Sequence, residues 1–401
     1  MKSASDICVI GNGIIGKTTA LALAQAGLSV TLLTPPGNPT PRVEGWDVRV
    51  YALNGVAREL LGSLRVWDAM DASRIAPVDA MSVNGDSPGA RLGFDAYGAR
   101  TGALAWIVED TNLNAALDAA LRFAQNLKQV SARALRLEQG AQHATVHLEN
   151  GDTLAASLVV GADGAHSWVR AQCDIGVDYR SYHQRAIVAN FACEKPHHGV
   201  AHQWFTGNEG IIALLPLPGE RVSLVWSAPD TLADSLLGQP LSALAARLGA
   251  LPGQPLGQLQ PLQPEAVKAL PLMLVRPHDI VAPQVALVGD AAHVVHPLAG
   301  HGMNLGFADV AELVRAIDAR GARDCGDERV LRRYARARKE DILLMQIATD
   351  GLERLFATDF EPLRIARNLG LSLVDKLPIL KRRLMSHAMG QRRTPSMKEG
   401  Y

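Results

Sequence analysis

The feature that most constrains this chain is a glycine-rich turn close to its N-terminus. Gly11, Gly13 and Gly16 form a GxGxxG pattern between the apolar residues 6–10 and the Ala- and Leu-rich residues 14–26. A strand, a tight turn and a helix in this order direct free helix N–H groups and partial positive charge at one point, where a pyrophosphate binds. The pattern therefore predicts a βαβ unit that binds a dinucleotide.

The same turn also fits the phosphate loop of ATPases and GTPases. Extended by Lys17 and Thr18, it reads GxxxxGK[ST], in which the lysine would bind a terminal phosphate and the threonine a magnesium ion. That pattern does not require Gly13, and two later segments also belong to the dinucleotide interpretation. We therefore favour a dinucleotide and keep the nucleoside-triphosphate site as the alternative.

One expected residue is missing from the dinucleotide motif. The second strand of such a unit usually ends in Asp or Glu, whose carboxylate binds the adenosine ribose. Here the predicted strand 29–33 is followed by Thr34, and the next loop offers Glu44 as a substitute. The sequence therefore leaves the ribose contact unassigned.

Two further segments place a sharp turn directly after an apolar strand. Residues 158–170 (LVVGADGAHSWVR) contain Asp163 and Gly164, and the backbone of such a turn can face a ligand. Residues 285–309 (VALVGDAAHVVHPLAGHGMNLGFAD) contain Asp290, whose carboxylate can accept hydrogen bonds from a polyol. Both segments resemble ligand-binding turns at the end of a buried strand.

The second of these segments continues into a loop and a helix. Between Pro297 and Gly302, only Leu298 and His301 carry bulky side chains, so a flat ring can lie against the backbone. A helix that begins near Met303 would direct its positive end at that ring and stabilise negative charge on it.

The remaining pattern predicts a second domain and a helical end. An Asn150-Gly151 turn predicts a hairpin of residues 145–149 and 153–160, and the Gly-, Pro- and Gln-rich residues 251–264 predict a long surface connection. Residues 308–390 are largely helical in pattern. Antiparallel strands of a second domain are predicted at 186–191, 200–205, 211–215 and 222–227.

Charge and composition exclude several classes of protein. Forty basic and 40 acidic residues give a net charge of +0, which argues against general nucleic-acid binding. The four cysteines show no CxxC spacing, which favours reduced thiols over disulfides or a zinc site. No signal-peptide pattern precedes the first motif, and no apolar stretch reaches the ~18–20 residues that span a bilayer. We therefore expect a cytoplasmic protein that is soluble or peripheral rather than integral to a membrane.

The three segments near residues 11, 163 and 290 make the chain similar to FAD-dependent aromatic hydroxylases, the group A flavoprotein monooxygenases. Residues 182–190 (YHQRAIVAN), 211–217 (IIALLPL) and 223–227 (SLVWS) resemble the substrate-domain strands of the bacterial ubiquinone-biosynthesis hydroxylases. The C-terminal stretch is also similar to these enzymes. The resemblance therefore covers nearly the whole chain.

This resemblance implies an α/β fold of the p-hydroxybenzoate-hydroxylase type. It comprises a Rossmann-like FAD-binding domain, an interleaved, mostly antiparallel β-sheet substrate domain and a helical C-terminal region. The expected boundaries are 1–75, 101–180 and 280–335 for the discontinuous FAD-binding domain, 76–100 and 181–279 for the substrate domain, and 336–401 for the helical region.

The resemblance also implies which residues hold FAD. Gly11, Gly13 and Gly16 would bind the pyrophosphate, and Asp290 the ribityl chain. Asp163 and Gly164 match a turn associated with both FAD and NAD(P)H. Arg49 matches an arginine on the flavin side, with a surface salt bridge as the structural alternative. The residues expected around the isoalloxazine ring are Pro297, Gly300, His301, Gly302, Met303 and Asn304.

In the implied reaction, NAD(P)H reduces FAD, O2 forms a C4a-hydroperoxyflavin, and one oxygen atom passes to the ring of a polyprenylated phenol. The flavin performs this chemistry, so no catalytic side chain is assigned. Because the chain has one dinucleotide motif, we expect NAD(P)H to bind transiently. A small soluble phenol is the alternative substrate, and a non-catalytic scaffold subunit of a quinone-synthesis complex is the alternative function.

Some residues differ from the family pattern, and others have a structural as well as a functional interpretation. Besides Thr34, His301 stands where these enzymes commonly have Gln, and the residue before Leu113 is not the frequent basic one. His293 and His296 have His-x-x-His spacing, but without a further Cys or His cluster we interpret them as structural and expect no metal. Candidates for the substrate cavity, with core packing as the alternative, are Trp204, Phe205, Leu215 and Trp226.

The C-terminal residues 376–393 combine six basic residues with apolar neighbours. A polyprenylated substrate implies work at a membrane surface, so this segment is a candidate for peripheral membrane contact or for contact with a quinone-biosynthesis complex. A solvated helix end is the structural alternative.

Overall fold

The computed structural model describes residues 2–37, 45–86, 90–263, 265–297 and 300–357. Its first layer is a parallel sheet that is buried on both faces at its centre, where Ile7, Cys8 and Val9 are inaccessible to solvent. The parallel strands, in spatial order, are β8 (Leu127–Ser131), β2 (Val30–Thr34), β1 (Lys2–Ile10), β11 (Thr153–Gly161) and β19 (Val285–Leu287). The antiparallel additions are β9 (Ala134–Gln139), β10 (Ala144–Leu148) and β18 (Val281–Ala282).

Helices pack around this sheet and bury its apolar side chains. α1 (Ile14–Gln25) contacts both α4 (Asp110–Phe123) and α8 (His301–Asp318), and α8 also contacts α9 (Glu328–Ala357). The shorter α2 (Gly55–Ser63) packs on α8, and α5 (Trp168–Gln172) follows β11. Among the described residues, no helix is long and apolar enough to cross a membrane.

The second sheet is mostly antiparallel, which confirms the prediction for the middle of the chain. One of its faces is covered by α6 (Asp230–Leu237) and α7 (Leu241–Gly249). β5 is the exception in direction, because it pairs in parallel with β13. The strands, in spatial order, are β16 (Leu259–Pro261), β12 (Val177–Cys193), β15 (Arg221–Pro229), β14 (Ile211–Leu217), β13 (Val200–Phe205), β5 (Ala80–Asn84) and β6 (Arg91–Asp95), and β17 (Lys268–Pro277) also pairs with β12.

A third, three-stranded sheet lies against the other face of the second sheet. It consists of β3 (Val50–Leu53), β7 (Ala105–Glu109) and β4 (Ile75–Val78), and α3 (Ala96–Ala99) follows β6. Side chains of this small sheet share one apolar cluster with Ala201 and Leu217 of the second sheet. Short 3-10 helices lie between these elements, at Trp67–Ala69, Ala72–Arg74, Gly207–Glu209 and Gly289–Ala291.

These elements confirm the expected α/β fold and correct one detail. The Asn150-Gly151 turn joins β10 to β11 as an antiparallel hairpin, with Gly151 at a φ of +83°. The prediction of a plain surface connection over 251–264 was wrong, because β16 pairs with β12 there and Leu256 is fully buried. An apolar residue in a Gly- and Pro-rich stretch carries no periodicity, so the sequence pattern concealed this anchor.

A buried charged cluster joins α8, α9 and the turn after β19. Asp309 accepts hydrogen bonds from the Gly289 N–H (2.9 Å) and from Arg338 Nε (2.6 Å), and its Oδ2 lies 2.7 Å from His293 Nε2. Burial opposes its ionisation most strongly, yet His293 and Arg338 together hold the pKa of Asp309 below its ordinary value. The Tyr334 hydroxyl donates to the Leu287 carbonyl in the same cluster (2.7 Å).

Arg338→Met should lower the free energy of unfolding by about 3 kcal/mol or more, because it removes one of the two groups that compensate the buried Asp309 carboxylate. The matched control is Arg332→Met on the same helix, which breaks an exposed pair with Glu328 and should cost less than about 0.5 kcal/mol. Urea denaturation of both variants measures the difference. Equal losses would contradict the assigned role of Asp309.

Candidate functional site

The glycine-rich turn after β1 lies at the carboxyl edge of the parallel sheet. Gly11 has a φ of +139°, and a Cβ there would lie 2.1 Å from the Ala162 carbonyl oxygen. A Cβ on Gly16 would lie 2.5 Å from the Gly11 carbonyl oxygen. At Gly13, the N-terminal cap of α1, a Cβ would meet nothing within 4 Å. Gly11 and Gly16 therefore allow close backbone packing, whereas Gly13 borders open space at the helix N-terminus, where a pyrophosphate fits.

The alternative phosphate loop is wrong for this turn. Lys17 is buried, and its Nζ lies 2.6 Å from Asp118 Oδ1 and donates to Asn114 Oδ1 at 2.9 Å. Thr18 is also buried, and its hydroxyl donates to the Ile14 carbonyl at 2.8 Å. The lysine joins α1 to α4 and the threonine closes a helical hydrogen bond, so neither group reaches a phosphate or a magnesium ion at the turn.

The turn after β11 presents an unpaired acceptor. Asp163 Oδ2 accepts a hydrogen bond from the Val169 N–H at 3.0 Å, whereas its Oδ1 is buried and has no partner among the described residues. Gly164 has a φ of +85°, and a Cβ there would meet nothing within 4 Å. A buried acceptor without a donor is costly, so this oxygen fits a ligand that carries a hydrogen-bond donor.

Arg170 ties this turn to the segment that follows β19. Its buried guanidinium donates from Nη1 to the Ala291 carbonyl (3.0 Å) and from Nη2 to the Ala165 carbonyl (2.8 Å). The two sequence motifs are therefore held side by side by one side chain. Residues 158–170 include this arginine, but nothing in the sequence identified its partners.

Asp290 lies in the 3-10 turn Gly289–Ala291, directly after Gly289, whose N–H donates to Asp309. Its side chain is exposed to solvent, and yet desolvation by the surrounding protein raises the pKa of Asp290 against the opposing effects of His293 and Arg49. The Asp290 side chain therefore reaches solvent although protein surrounds it on several sides, as a residue in a cleft does. Such a carboxylate can accept hydrogen bonds from the hydroxyl groups of a polyol chain.

The loop before α8 is packed directly on β3. Gly300 caps the helix with a φ of +68°, and a Cβ there would lie 3.1 Å from the Ala52 Cβ. Asn304 donates from Nδ2 to the Ala52 carbonyl (2.8 Å) and accepts from the Asn54 N–H (2.9 Å). The Asn304 amide thus holds the loop in place. A Cβ on Gly302 would meet nothing within 4 Å, so the helix N-terminus has open space beside it.

The other residues expected around the flavin ring are only partly described. Pro297 and Met303 are half-buried. Leu298 lies outside the described residues, and so does the side chain of His301.

His296 precedes this loop and is fully buried. Its Nε2 lies 3.3 Å from Gln184 Oε1, and its ring meets the Tyr182 ring edge-on with centroids 5.0 Å apart. Nδ1 has no partner among the described residues. Burial lowers the pKa of His296 to about 4, so the imidazole is neutral at physiological pH. In the part of the chain that the structure describes, no His, Cys, Asp and Glu cluster fits a metal ion.

Arg49 is exposed, and the described group beside its guanidinium is an aromatic ring. Its guanidinium carbon lies 5.9 Å from the centroid of the Tyr51 ring, and it forms no ion pair with another described residue. The surface salt bridge considered as its structural alternative is therefore absent among the described residues. Because Arg49 also lowers the pKa of Asp290, its charge acts on the same cleft.

The face of the second sheet that meets β3, β4 and β7 borders accessible space, and we call it the inner face. Ala213 pairs with Val225 across β14 and β15, and Leu215 follows two residues later on the same face. All three side chains are half-buried, whereas their neighbours in the sheet are mostly buried. They form an apolar surface on the side of the sheet that faces β3, β4 and β7.

For two of the aromatic candidates, the structure supports the alternative of core packing. Trp204 and Trp226 lie on the opposite face of the second sheet, in the core under α6 and α7, where their indole N–H groups donate to the carbonyls of Pro252 (3.1 Å) and Glu209 (2.7 Å). Strand alternation places them there, because their partners across the ladder are apolar residues of the same core. Phe205 is buried in a separate apolar cluster with Val83.

The structure shows the hydrogen bonds of two residues that differ from the family pattern, Asn112 and Thr34. Asn112, where a basic residue is frequent, accepts from the Asp71 N–H (2.9 Å) and donates to the Asp71 carbonyl (3.0 Å). Thr34 directs its hydroxyl at the Val130 carbonyl (3.5 Å). Glu44, the proposed ribose contact, lies outside the described residues.

Comparison with known proteins agrees with this geometry. Residues 4–343 match the family described as FAD binding domain. Ubiquinone hydroxylase UbiL of Rhodospirillum rubrum is 36% identical over 96% of this chain and 90% of its own length. The 3-demethoxyubiquinol 3-hydroxylase of Escherichia coli is 34% identical over 96% of this chain and 98% of its own. The crystal structure of p-nitrophenol 4-monooxygenase PnpA from Pseudomonas putida has a TM-score of 0.77 at 19% identity, over 98% of this chain and 100% of that chain, which shows the shared fold.

The glycines of the first turn give a paired prediction. Gly11→Ala should destabilise the FAD-free protein by about 1–3 kcal/mol, because its Cβ collides with Ala162. Gly13→Ala should leave that stability unchanged but raise the Kd for FAD about tenfold or more, because its Cβ enters the space open to the pyrophosphate. Thermal denaturation and fluorescence titration with FAD measure the two effects. Gly13→Ala protein with unchanged FAD affinity would contradict the assignment.

Proposed function

The chain belongs to the FAD-binding-domain family and, within it, to the ubiquinone hydroxylases, and on this premise we propose its substrate and its reductant. It is an FAD-dependent monooxygenase. The proposed substrate is the aromatic ring of a polyprenylated ubiquinone precursor, with NAD(P)H as electron donor and O2 as oxidant. The observation that carries the proposal is the similarity to two named ubiquinone hydroxylases along 96% of the chain.

The described residues fit FAD at the carboxyl edge of the parallel sheet. The open side of Gly13, the unpaired Asp163 Oδ1 and the enclosed Asp290 carboxylate offer contacts for the pyrophosphate and for hydroxyl groups. When bound, FAD supplies hydride acceptance and the activation of O2. The proposed contacts, from pyrophosphate to isoalloxazine, are Gly11, Gly13, Gly16, Asp163, Gly164, Asp290, Arg49, Pro297, Gly300, Gly302, Met303 and Asn304, with His301 near the ring.

The protein's own task is to orient the substrate ring and to exclude water. The half-buried Ala213, Leu215 and Val225 give the inner face an apolar surface, which suits a ring with an isoprenoid substituent. A neutral His296 at the start of the flavin-side loop can accept a hydrogen bond at Nδ1 without placing a charge there.

The domain boundaries follow the sheets in this proposal. Residues 1–75, 101–180 and 280–335 contribute every strand of the parallel sheet, whereas 76–100 and 181–279 contribute nearly all of the second sheet. The third sheet draws on the first group of residues and on β4, and it joins the two layers. The helical region from 336 onwards begins within α9.

The substrate proposal is tested with purified FAD-loaded protein, NADH or NADPH, and 18O2. A phenol with a short prenyl chain should gain one labelled oxygen atom, whereas a simple soluble phenol should yield mainly H2O2. Leu215→Arg, which places a charge on the inner face, should raise the KM for the prenylated phenol roughly tenfold or more. The control is Leu135→Arg at a leucine that is 57% exposed on β9, which should leave the KM unchanged.

Three outcomes would redirect the proposal. Efficient hydroxylation of the simple phenol would favour a soluble substrate. Protein that binds no FAD, or binds it without NAD(P)H oxidation, would favour a scaffold role in a quinone-synthesis complex. An unchanged KM in Leu215→Arg would place the substrate away from the inner face.

We also propose peripheral contact with the inner membrane through residues 376–393, which lie outside the described residues. The basic side chains and apolar neighbours of this segment support contact with anionic lipid, or with a quinone-biosynthesis complex. Deletion of residues 376–401 should abolish sedimentation with anionic liposomes and leave FAD binding intact. Unchanged sedimentation would defeat the membrane proposal and favour the complex.

A further inference from the structure

The backbone of residues 45–49, the segment that carries Arg49, is held by three separate parts of the chain. The Gly45 carbonyl accepts from Arg74 Nη2 (2.7 Å), and the Asp47 N–H donates to Glu109 Oε1 (2.5 Å). Arg49 is held at both of its own backbone groups, because its N–H donates to Asp47 Oδ1 (3.0 Å) and its carbonyl accepts from the Asp110 N–H (2.9 Å).

The second sheet and α4 add to this support. Asn190 on β12 donates from Nδ2 to the carbonyls of Asp47 (2.9 Å) and Trp46 (3.4 Å). The other carboxylate oxygen of Asp47 accepts from the Thr111 N–H in the first turn of α4 (3.3 Å). The 45–49 segment is therefore a cap for α4 and a contact for the second sheet at the same time.

Glu109 and Arg74 form the base of this arrangement. Glu109 is fully buried, and Arg74 grips it with two bonds, from Nε to Oε2 (2.6 Å) and from Nη2 to Oε1 (2.8 Å). The bond to Glu109 raises the pKa of Arg74. The guanidinium also lies 4.6 Å from the centroid of the Trp46 ring. Because a buried carboxylate needs such compensation, the two bonds from Arg74 offset the burial of Glu109, whose Oε1 also accepts from the Asp47 N–H.

The Arg49 side chain lacks the hydrogen bonds that hold the backbone of the 45–49 segment among the described residues. Arg49 is exposed, forms no ion pair with a described residue and acts electrostatically on Asp290. When the backbone of a cationic residue is already held in place, less conformational entropy is lost as its side chain binds a charged ligand. The 45–49 segment gives Arg49 this arrangement.

We propose that Arg74, acting through Glu109 and the 45–49 segment, is the positioning residue that sets Arg49 against the bound flavin. The inference rests on the proposed FAD site. Arg74 contacts the backbone of the segment at Gly45 and the side chains of Glu109 and Trp46. The charge of Arg49 acts on Asp290, which is one of the proposed flavin contacts.

The test is a double-mutant cycle on the Kd for FAD, measured by fluorescence titration of the FAD-free protein. Arg49→Met and Arg74→Met should each raise the Kd about tenfold, the effect of one lost charge-assisted contact. If Arg74 acts through Arg49, adding Arg74→Met to Arg49→Met should raise the Kd no further. Arg74→Lys keeps a charge beside Glu109 without the two-bond grip, so it should fold and give an intermediate Kd. If Arg74→Met does not fold, the Kd of Arg74→Lys for FAD decides the test.

Arg247→Met is the matched control, because Arg247 also pairs with a glutamate, Glu209 (2.6 Å), and also lies over an indole ring, that of Trp226 (5.5 Å). Arg247 lies on α7, which covers the other face of the second sheet, and its loss should leave the Kd for FAD unchanged. Additive effects of Arg49→Met and Arg74→Met, or an equal effect of Arg247→Met, would overturn the inference. Wild-type protein that binds no FAD would instead overturn the proposed function, whereas normal FAD binding by both Arg74 variants would overturn the inference alone.

A second readout separates positioning from general destabilisation. The visible absorption bands of the bound flavin should shift in Arg74→Lys as they shift in Arg49→Met, and should remain unchanged in Arg247→Met. Lower thermal stability of Arg74→Lys with an unshifted flavin spectrum would assign Arg74 a structural role only and would overturn the proposal.

Discussion

The cofactor edge of this protein depends on one buried carboxylate. Asp309 engages both of its oxygens, one with Arg338 and the other with the Gly289 N–H and His293. The turn that presents Asp290 therefore takes its position from a charge on α8 that is compensated by α9. A buried ion pair is costly to desolvate and costly to break, so its main effect here is to fix one arrangement of these elements.

Polar groups in the site divide into those satisfied within the protein and those left free. Lys17 and Asn112 have the chemistry to bind a nucleotide, and both are engaged with the protein instead. Asp163 Oδ1 and the Arg49 guanidinium have no such partner among the described residues. Because an unmade hydrogen bond in a buried place is unfavourable, the unpaired Asp163 Oδ1 marks where a ligand belongs more sharply than residue type does.

The second sheet separates core and substrate sides by alternation along its strands. Trp226 and Val225 are neighbours in sequence, but the tryptophan lies in the core under α6 and α7 and the valine lies half-buried on the inner face. The largest aromatic side chains therefore stabilise the sheet, and small apolar residues face the cofactor layer.

Much of this protein could be predicted from its sequence, because the relevant constraints are local. A GxGxxG turn requires its strand and its helix, an Asn-Gly turn requires a hairpin, and the chain order of three such motifs is specific enough to indicate the family. The resulting α/β fold and the position of the first glycine turn were confirmed. A Cβ at Gly11 or Gly16 would collide with neighbouring backbone atoms, so both positions require glycine.

The tertiary structure decided what depends on contacts between distant residues. Whether Lys17 reaches a phosphate was settled by Asp118 on another helix, and whether Trp204 lines a cavity was settled by strand register and by α7. The supports of Arg49 come from residues 74, 109 and 190, which no spacing rule connects. Sequence patterns specify backbone geometry over a few residues, whereas the partner of a side chain is chosen by packing across the whole fold.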